Sequence, residues 1–227
     1  MKTVIYDLDD TLLSGDSEFK WADFTVKKGF ISKDLYLEKI NEFEIDYRAG
    51  NMDFGAYCKF LLNPLIGKSS DEISLLVDEF INEYKEVLID ALTYDLLEKH
   101  KNDRKIIASG SLNFIVKGFS KFFSIDTFFG TPLELKNNEV TGNLDGVPTF
   151  AEGKLSTMQK WSEENNYQLN EAIFYTDSIN DLPLVKACKH SIIISPDKEL
   201  EKYAKKNSLE IIYRSVSYTH LTLTTKD

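Results

Sequence analysis

The chain has 227 residues, 42% of them hydrophobic and 28% charged, which suits one α/β domain with a modest insertion and an ordinary apolar core. A formal net charge of −10 offers no overall attraction for nucleic acid or an anionic lipid surface, so an anionic substrate needs local help from a metal, a lysine or helix N-termini. No apolar run reaches membrane-spanning length, the start reads as a strand rather than a signal peptide, and Cys58 and Cys188 lack metal-ligand spacing. The expectation is a cytoplasmic chain with two buried, reduced thiols.

Thr3 to Tyr6 is a short β-rich run that stops at Asp7-Leu8-Asp9-Asp10, as a buried parallel strand does. From about Asp16 to Ile89 the pattern is helical throughout. Tyr36, Ile40, Phe43 and Tyr47 share one face, Ile73, Leu76, Val77, Phe80, Ile81 and Tyr84 form another stripe, and Ser69 with Glu72 reads as a capping box. Beyond the insert, apolar runs at Lys105–Ala108, Ile125–Phe129, Ala172–Thr176, Ser191–Ile194 and Ile211–Tyr213 alternate with helical patterns at Leu112–Phe122, Leu155–Glu164 and Asp197–Lys206. Ser195-Pro196 is expected to cap the last of these. A hairpin is expected from Leu133 to Leu144, turning at Asn137-Asn138.

Strand–helix alternation of this kind predicts an α/β fold, a doubly wound and mostly parallel sheet with helices on both faces. Its expected division is a core of residues 1–15 and 90–215 with an inserted all-helical cap of residues 16–89. Residues 216–227, rich in Thr and without a helical pattern or partner strand, are set apart as a non-native or disordered tail.

Ligands of such sheets bind beyond the carboxyl ends of the strands. Those ends carry Asp7-Leu8-Asp9, Ser109-Gly110-Ser111, and Asp177 with Asp181 close behind, while Lys154 follows Gly153 at a helix start. Gathered carboxylates repel each other and an incoming phosphate unless a hard cation sits among them. Mg²⁺, which prefers one or two carboxylates, waters and substrate oxygens, is the expected cofactor, with Asp7 and Asp177 as natural ligands. Asp7 can then attack phosphorus, Asp9 can serve as acid and then base, Lys154 can neutralise charge, and Ser109 with the Gly110 N–H can bind phosphate oxygens. Each residue also has a plain structural use. Asp favours strand-end turns, Ser109 could cap the following helix, Lys154 could be a solvated helix-start lysine, and Asp181 could be a favourable helix N-terminal charge.

Asp7-Leu8-Asp9-Asp10-Thr11-Leu12 resembles the first motif, DxDxT, of the haloacid dehalogenase-like superfamily. Ile106-Ile107-Ala108-Ser109-Gly110 is similar to its second motif, Glu152-Gly153-Lys154 to its third, and the stretch from Tyr175 through Asp177 and Asp181 to Pro183 to its fourth. The position of the helical insert resembles the C1-capped, phosphoserine phosphatase-like branch. Gly15-Asp16-Ser17 and the stretch from Thr141 to Lys154 look most like members some of which are named histidinol-phosphatases.

The resemblance implies an Mg²⁺-dependent phosphomonoester phosphatase working through an aspartyl-phosphate on Asp7. It makes Asp9 the acid/base and a ligand through its carbonyl, Asp177 the second metal carboxylate, and Asp181 the residue that orients metal-bound water. Asn180 would position phosphate or lysine, Asp16 would meet a substrate amine, and Arg48 is a cap arginine outside the phosphoserine phosphatase pattern. The expected partner is a small phosphorylated metabolite, with neither nucleic acid nor membrane, and the chain is expected as monomer or homodimer. A phosphotransferase or mutase of the same superfamily, or a non-catalytic binding protein on an inherited fold, are the competing readings.

Overall fold

The computed structural model describes residues 1–48 and 52–215, the side chains of Glu44, Tyr47 and Arg48 excepted. The tail at 216–227 lies outside the described residues. Thr3–Tyr6 forms β1, buried at every position, and its neighbours are β2 (Arg104–Leu112) and β6 (Ile173–Thr176), both parallel to it. With β3 (Thr127–Thr131), β7 (His190–Ile194) and β8 (Glu210–Ile212) they make one six-stranded sheet in the order β3-β2-β1-β6-β7-β8, parallel throughout. The order places β1 between the two halves of the winding. The crevice at the carboxyl ends of β1, β2 and β6 is thus the switch point of the sheet.

Successive residues of a strand point to opposite faces, and the two cores divide accordingly. Ile5, Ile106, Ala108, Phe174 and Ile193 pack with Met158 and Trp161 of α7 (Glu152–Glu164), Leu184 of α8 (Leu182–Ala187), and Leu200 and Ala204 of α9 (Lys198–Lys206). Val4, Tyr6, Ile107, Tyr175 and Ile194 belong to the opposite core, with Leu96 of α5 (Ala91–Lys99) and Ile115, Val116 and Phe119 of α6 (Asn113–Phe122).

That second core continues without a break into the helical insert: α1 (Ser17–Lys27), α2 (Lys33–Arg48), α3 (Phe54–Leu62) and α4 (Ser70–Leu88). The joint is close. A Cβ at Gly118 of α6 would lie 2.2 Å from Val77 Cγ1 and 2.9 Å from Ile81 Cδ1, so only glycine lets α4 settle there. The expected capping box is present: Ser69 accepts from the Glu72 N–H while the Glu72 carboxylate accepts from the Ser69 N–H. The separate hairpin pairs β4 (Leu133–Lys136) with β5 (Glu139–Leu144), and its turn residues Asn137 and Asn138 both have positive φ (53° and 66°).

Three local expectations change. β2 runs on to Leu112 because Ser109-Gly110-Ser111 stay extended through a register shift against β3. β3 starts at Thr127, since Ile125 instead closes the end of α6 by donating to the Ser120 carbonyl after Ser124 turns left-handed (φ 55°). Asp197, not Ser195-Pro196, caps α9, accepting from the Glu199 and Leu200 N–H groups at 2.9 and 2.8 Å. Cys58 and Cys188 are both buried and free, and both thiols are pushed up by burial, Cys188 to about 12.

Candidate active site

β1 delivers Asp7 to the crevice with its N–H tied to the Tyr175 carbonyl of β6 at 2.9 Å. The chain then makes a wide turn in which Leu12 N–H returns to the Asp7 carbonyl and Leu13 N–H to that of Leu8. Asp9 is extended within this turn and Asp10 sits at φ 52°, a left-handed position that aspartate tolerates better than most residues. The turn aims Asp9 back over the end of the sheet. Its carboxylate accepts from the Ser17 N–H at 2.6 Å and from the Ser111 hydroxyl, which fixes its orientation.

Lys154, buried, reaches this point from the first turn of α7. Its Nζ lies 3.0 Å from Asp7 Oδ1 and 2.6 Å from Asp181 Oδ1, and donates to Asp181 Oδ2 at 2.7 Å. A Cβ at Gly153 would stand 2.0 Å from the Pro148 carbonyl oxygen, so the helix start closes against its own loop only with glycine beside the lysine. Burial alone would lower the Lys154 pKa, but Asp181 and Asp7 outweigh it and hold the ammonium charged. Thr176, the last residue of β6, donates its hydroxyl to Asp181 Oδ2 at 2.7 Å. Asp181, the residue expected to orient metal-bound water, also anchors Lys154 through these contacts.

Asp177 faces Asp7 across the crevice and accepts from the Thr11 hydroxyl at 3.0 Å. Burial, then Asp7, Asp10 and Asp181, push its carboxyl well above the usual range. Burial also raises Asp7, to about 7, against the pull of Lys154 and with a further push from Asp181. Asp9 is raised by burial, and its hydrogen bonds from Ser111 and Ser17 oppose the rise. These groups and the Ser109-Gly110-Ser111 segment line one cavity of about 330 Å³. Ser109 is buried, with its hydroxyl accepting from the Ser111 N–H at 3.1 Å; it does not cap α6, whose N-terminus has no side-chain cap.

Asp16 also lines the cavity, where it caps α1 by accepting from the Phe19 N–H at 2.9 Å. Asn180 is outside the lining and donates to the Ser178 hydroxyl. The Arg48 side chain lies outside the described residues. His100 is structural, held between Asp103 at 3.0 Å and the Tyr175 hydroxyl at 2.9 Å, and His190 is exposed at the start of β7. Trp21, Phe24 and Tyr57 are core residues, and Tyr57 lines the cavity as well.

Several lining residues have no role assigned to them in the sequence. Asp10, inside the first motif, is one. Glu18 is another: buried, it accepts from the Leu112 N–H at 2.9 Å, and burial followed by the Asp9 charge pushes it up to about 8. Ser111, named only as part of a strand end, and Phe19, Met52, Phe54 and Phe150 also line the cavity. The apolar spacing of the insert could have flagged Phe54, but nothing in the sequence pairs it with Phe150, 96 positions on.

The donor chemistry fits a hard cation. Asp7, Asp9, Asp10, Asp16, Glu18, Asp177 and Asp181 line the cavity against Lys154 as its one basic residue among those described. Also among the described residues, no three His, Cys, Asp or Glu side chains are grouped to hold a metal by themselves.

The pattern of the haloacid dehalogenase-like hydrolases matches residues 4–186. The chain is 33% identical over 214 residues to a histidinol-phosphatase of Neisseria meningitidis serogroup C (strain 8013), covering 92% of this chain and 96% of that one. It is 26% identical over 184 residues to a phosphoserine phosphatase of Lactococcus lactis subsp. lactis (strain IL1403), covering 80% and 78%. Among solved structures, a protein of unknown function from Bordetella pertussis Tohama I superposes with a TM-score of 0.85 at 24% identity, covering 93% and 98%. A substrate-bound phosphoserine phosphatase superposes at 0.67 and 15% identity, covering 93% and 92%; these two likenesses show the fold. No helix among the described residues is long and apolar enough to cross a membrane. The chain belongs to the haloacid dehalogenase-like hydrolase family and is an enzyme of the phosphoric monoester hydrolase class.

Proposed function

We propose that the protein is an Mg²⁺-dependent phosphatase of a small phosphorylated metabolite, of the phosphoserine or histidinol phosphate type, acting through an aspartyl-phosphate on Asp7. The observation that carries this reading is the arrangement around Asp7: Lys154 at 3.0 Å on one side, Asp177 across the crevice, and Asp9 two residues on. Asp7 and Asp177, with the Asp9 carbonyl, are the groups that would hold Mg²⁺. The ion when bound offsets carboxylate charge and polarises a phosphoryl oxygen.

In the first step an Asp7 oxygen attacks phosphorus, the bond from phosphorus to the leaving oxygen breaks, and Asp9 gives that oxygen its proton. In the second, Asp9 takes a proton from water as the water attacks the same phosphorus. The bond to Asp7 then breaks and phosphate leaves. Lys154, held by Asp181, balances charge on Asp7 and the phosphoryl group, while the Ser109 hydroxyl and Gly110 N–H bind phosphoryl oxygens. Residues 16–89 act as the cap that keeps bulk water from the intermediate, over a core of residues 1–15 and 90–215.

The test is phosphate release from p-nitrophenyl phosphate, with Mg²⁺ or with EDTA, for the native chain and Asp7→Asn. Turnover should need the metal and should fall by about a thousandfold or more in the variant. Metal-independent turnover, or an Asp7→Asn enzyme of ordinary activity, would overturn the mechanism. Equal yields of phosphate and free alcohol separate hydrolysis from transfer to another acceptor.

A further inference from the structure

The cavity has two chemically different ends. Asp7, Asp177 and Lys154 form the inner one. Over it stands an aromatic wall made jointly by the insert and the core: Phe54, from the first turn of α3, stacks on Phe150, from the loop before α7, with centroids 4.3 Å apart and planes 6° from parallel. Both rings are half-buried and both line the cavity. They sit directly above Gly110 of β2, since a Cβ there would be 3.2 Å from Phe150 and 3.7 Å from Phe54. A phosphoryl group at Ser109-Gly110 thus presents its leaving group to this wall.

The polar groups near the wall are one-sided. Asp16 and Glu18 line the same cavity and both interact with Tyr57, whose ring centroid is 6.2 Å from that of Phe54. Lys154, the one basic lining residue among those described, is engaged by Asp7 and Asp181. A carboxylate on the leaving group would meet carboxyl oxygens there, whereas a cationic nitrogen could donate to those oxygens beside aromatic faces.

We propose that the Phe54–Phe150 pair is the leaving-group selector, and that with Asp16 and Glu18 it favours a phosphomonoester whose alcohol bears a flat ring and a cationic nitrogen and no carboxylate. The proposal rests on the phosphatase reading above and deepens it. The ring packs on the face that the pair turns to the cavity, and the nitrogen lies toward the acids. Because one ring comes from each side, the selector is complete only when the insert is seated on the core.

The test compares kcat/KM, with Mg²⁺, for histidinol phosphate (ring and amine), O-phosphoethanolamine (amine alone), phosphoserine (amine and carboxylate) and p-nitrophenyl phosphate. The native chain should prefer histidinol phosphate to phosphoserine by at least about a hundredfold, with phosphoethanolamine between them. Phe54→Leu and Phe150→Leu should each lower the ratio of histidinol phosphate to phosphoethanolamine by about fivefold to tenfold. Equal or better turnover of phosphoserine, or an unchanged ratio in both variants, overturns the selector while leaving the phosphatase reading intact. Failure to turn over every substrate, p-nitrophenyl phosphate included, overturns both.

Discussion

A carboxylate buried among other carboxylates must find a cation, find hydrogen-bond donors or give up its charge. Asp9 and Asp181 have donors, Asp7 has Lys154, and Glu18 has one backbone N–H with the Asp9 charge beyond it. Glu18 is raised from its ordinary 4.5 to about 8, so the folded state binds its proton more tightly than the unfolded state does. Its contribution therefore favours folding below about pH 4.5 and is lost progressively as pH rises toward 8. Glu18→Gln keeps an acceptor for the Leu112 N–H and removes the titration. Relative to the native chain, it should gain about 3 kcal/mol of stability between pH 5 and pH 8, read from urea unfolding in EDTA. A constant difference across that range would show that Glu18 titrates normally. Asp7, Asp9, Ser109, Lys154 and Asp177 were readable at this scale because each stands at a strand end or helix start beside a short motif. Glu18 was not, because its burial comes from packing against β2, far away in sequence.

Elements place these side chains by close approach as much as by hydrogen bonding. The first turn of α7 lies against the Pro148 carbonyl, and Gly153 is the residue that lets it do so. Gly153→Ala must displace backbone rather than a flexible side-chain tip, which costs about 1–3 kcal/mol. It also moves the neighbouring Lys154 away from Asp7 and Asp181. The expected outcome is a fall in kcat of about tenfold or more together with a lower Tm, seen by turnover of p-nitrophenyl phosphate and thermal unfolding. Full activity at a lowered Tm would mean that the loop gives way without disturbing the lysine. Most elements were legible from period and capping signals: the stripe of α4, the Ser69–Glu72 box and the Asn137-Asn138 turn all form. The exceptions have local causes. β2 outruns its apolar run through a register shift, and Asp197 outcompetes Ser195 as a cap because its carboxylate faces two free N–H groups of α9.

Across the whole molecule, one continuous core joins the insert to one face of the sheet, while the active-site crevice concentrates negative charge between them. A cation that binds only the folded chain, between Asp7 and Asp177, should relieve that repulsion. Millimolar Mg²⁺ is therefore expected to raise Tm by several degrees. Asp177→Asn should be more stable than the native chain without metal and should lose most of the Mg²⁺ response. A Tm that ignores Mg²⁺ in the native chain would argue against a metal at these carboxylates. Arg214 adds a tie at this scale that no motif announced. From beyond β8 it pairs with Asp90 at 2.5 Å, where the insert returns to the core, and donates to the Thr11 carbonyl in the turn after Asp7.

The sequence by itself determined the parallel α/β sheet, the helical insert after β1 and the inner half of the site. Those depend on short-range facts: hydrophobic period, residues at strand ends, and glycine beside lysine at a helix start. Tertiary structure alone decided that Asp181 holds Lys154, that Glu18 is buried against β2, and that Phe54 meets Phe150 over Gly110. Each of these joins residues distant in the chain, and their contact follows from how α1, α3 and α7 settle on the carboxyl edge of the sheet. Helical period says which side of α3 is apolar; it cannot say which ring of another element will face it. The reaction class was therefore written in the strand ends, while the shape and charge of the leaving-group end came from packing between the insert and the core.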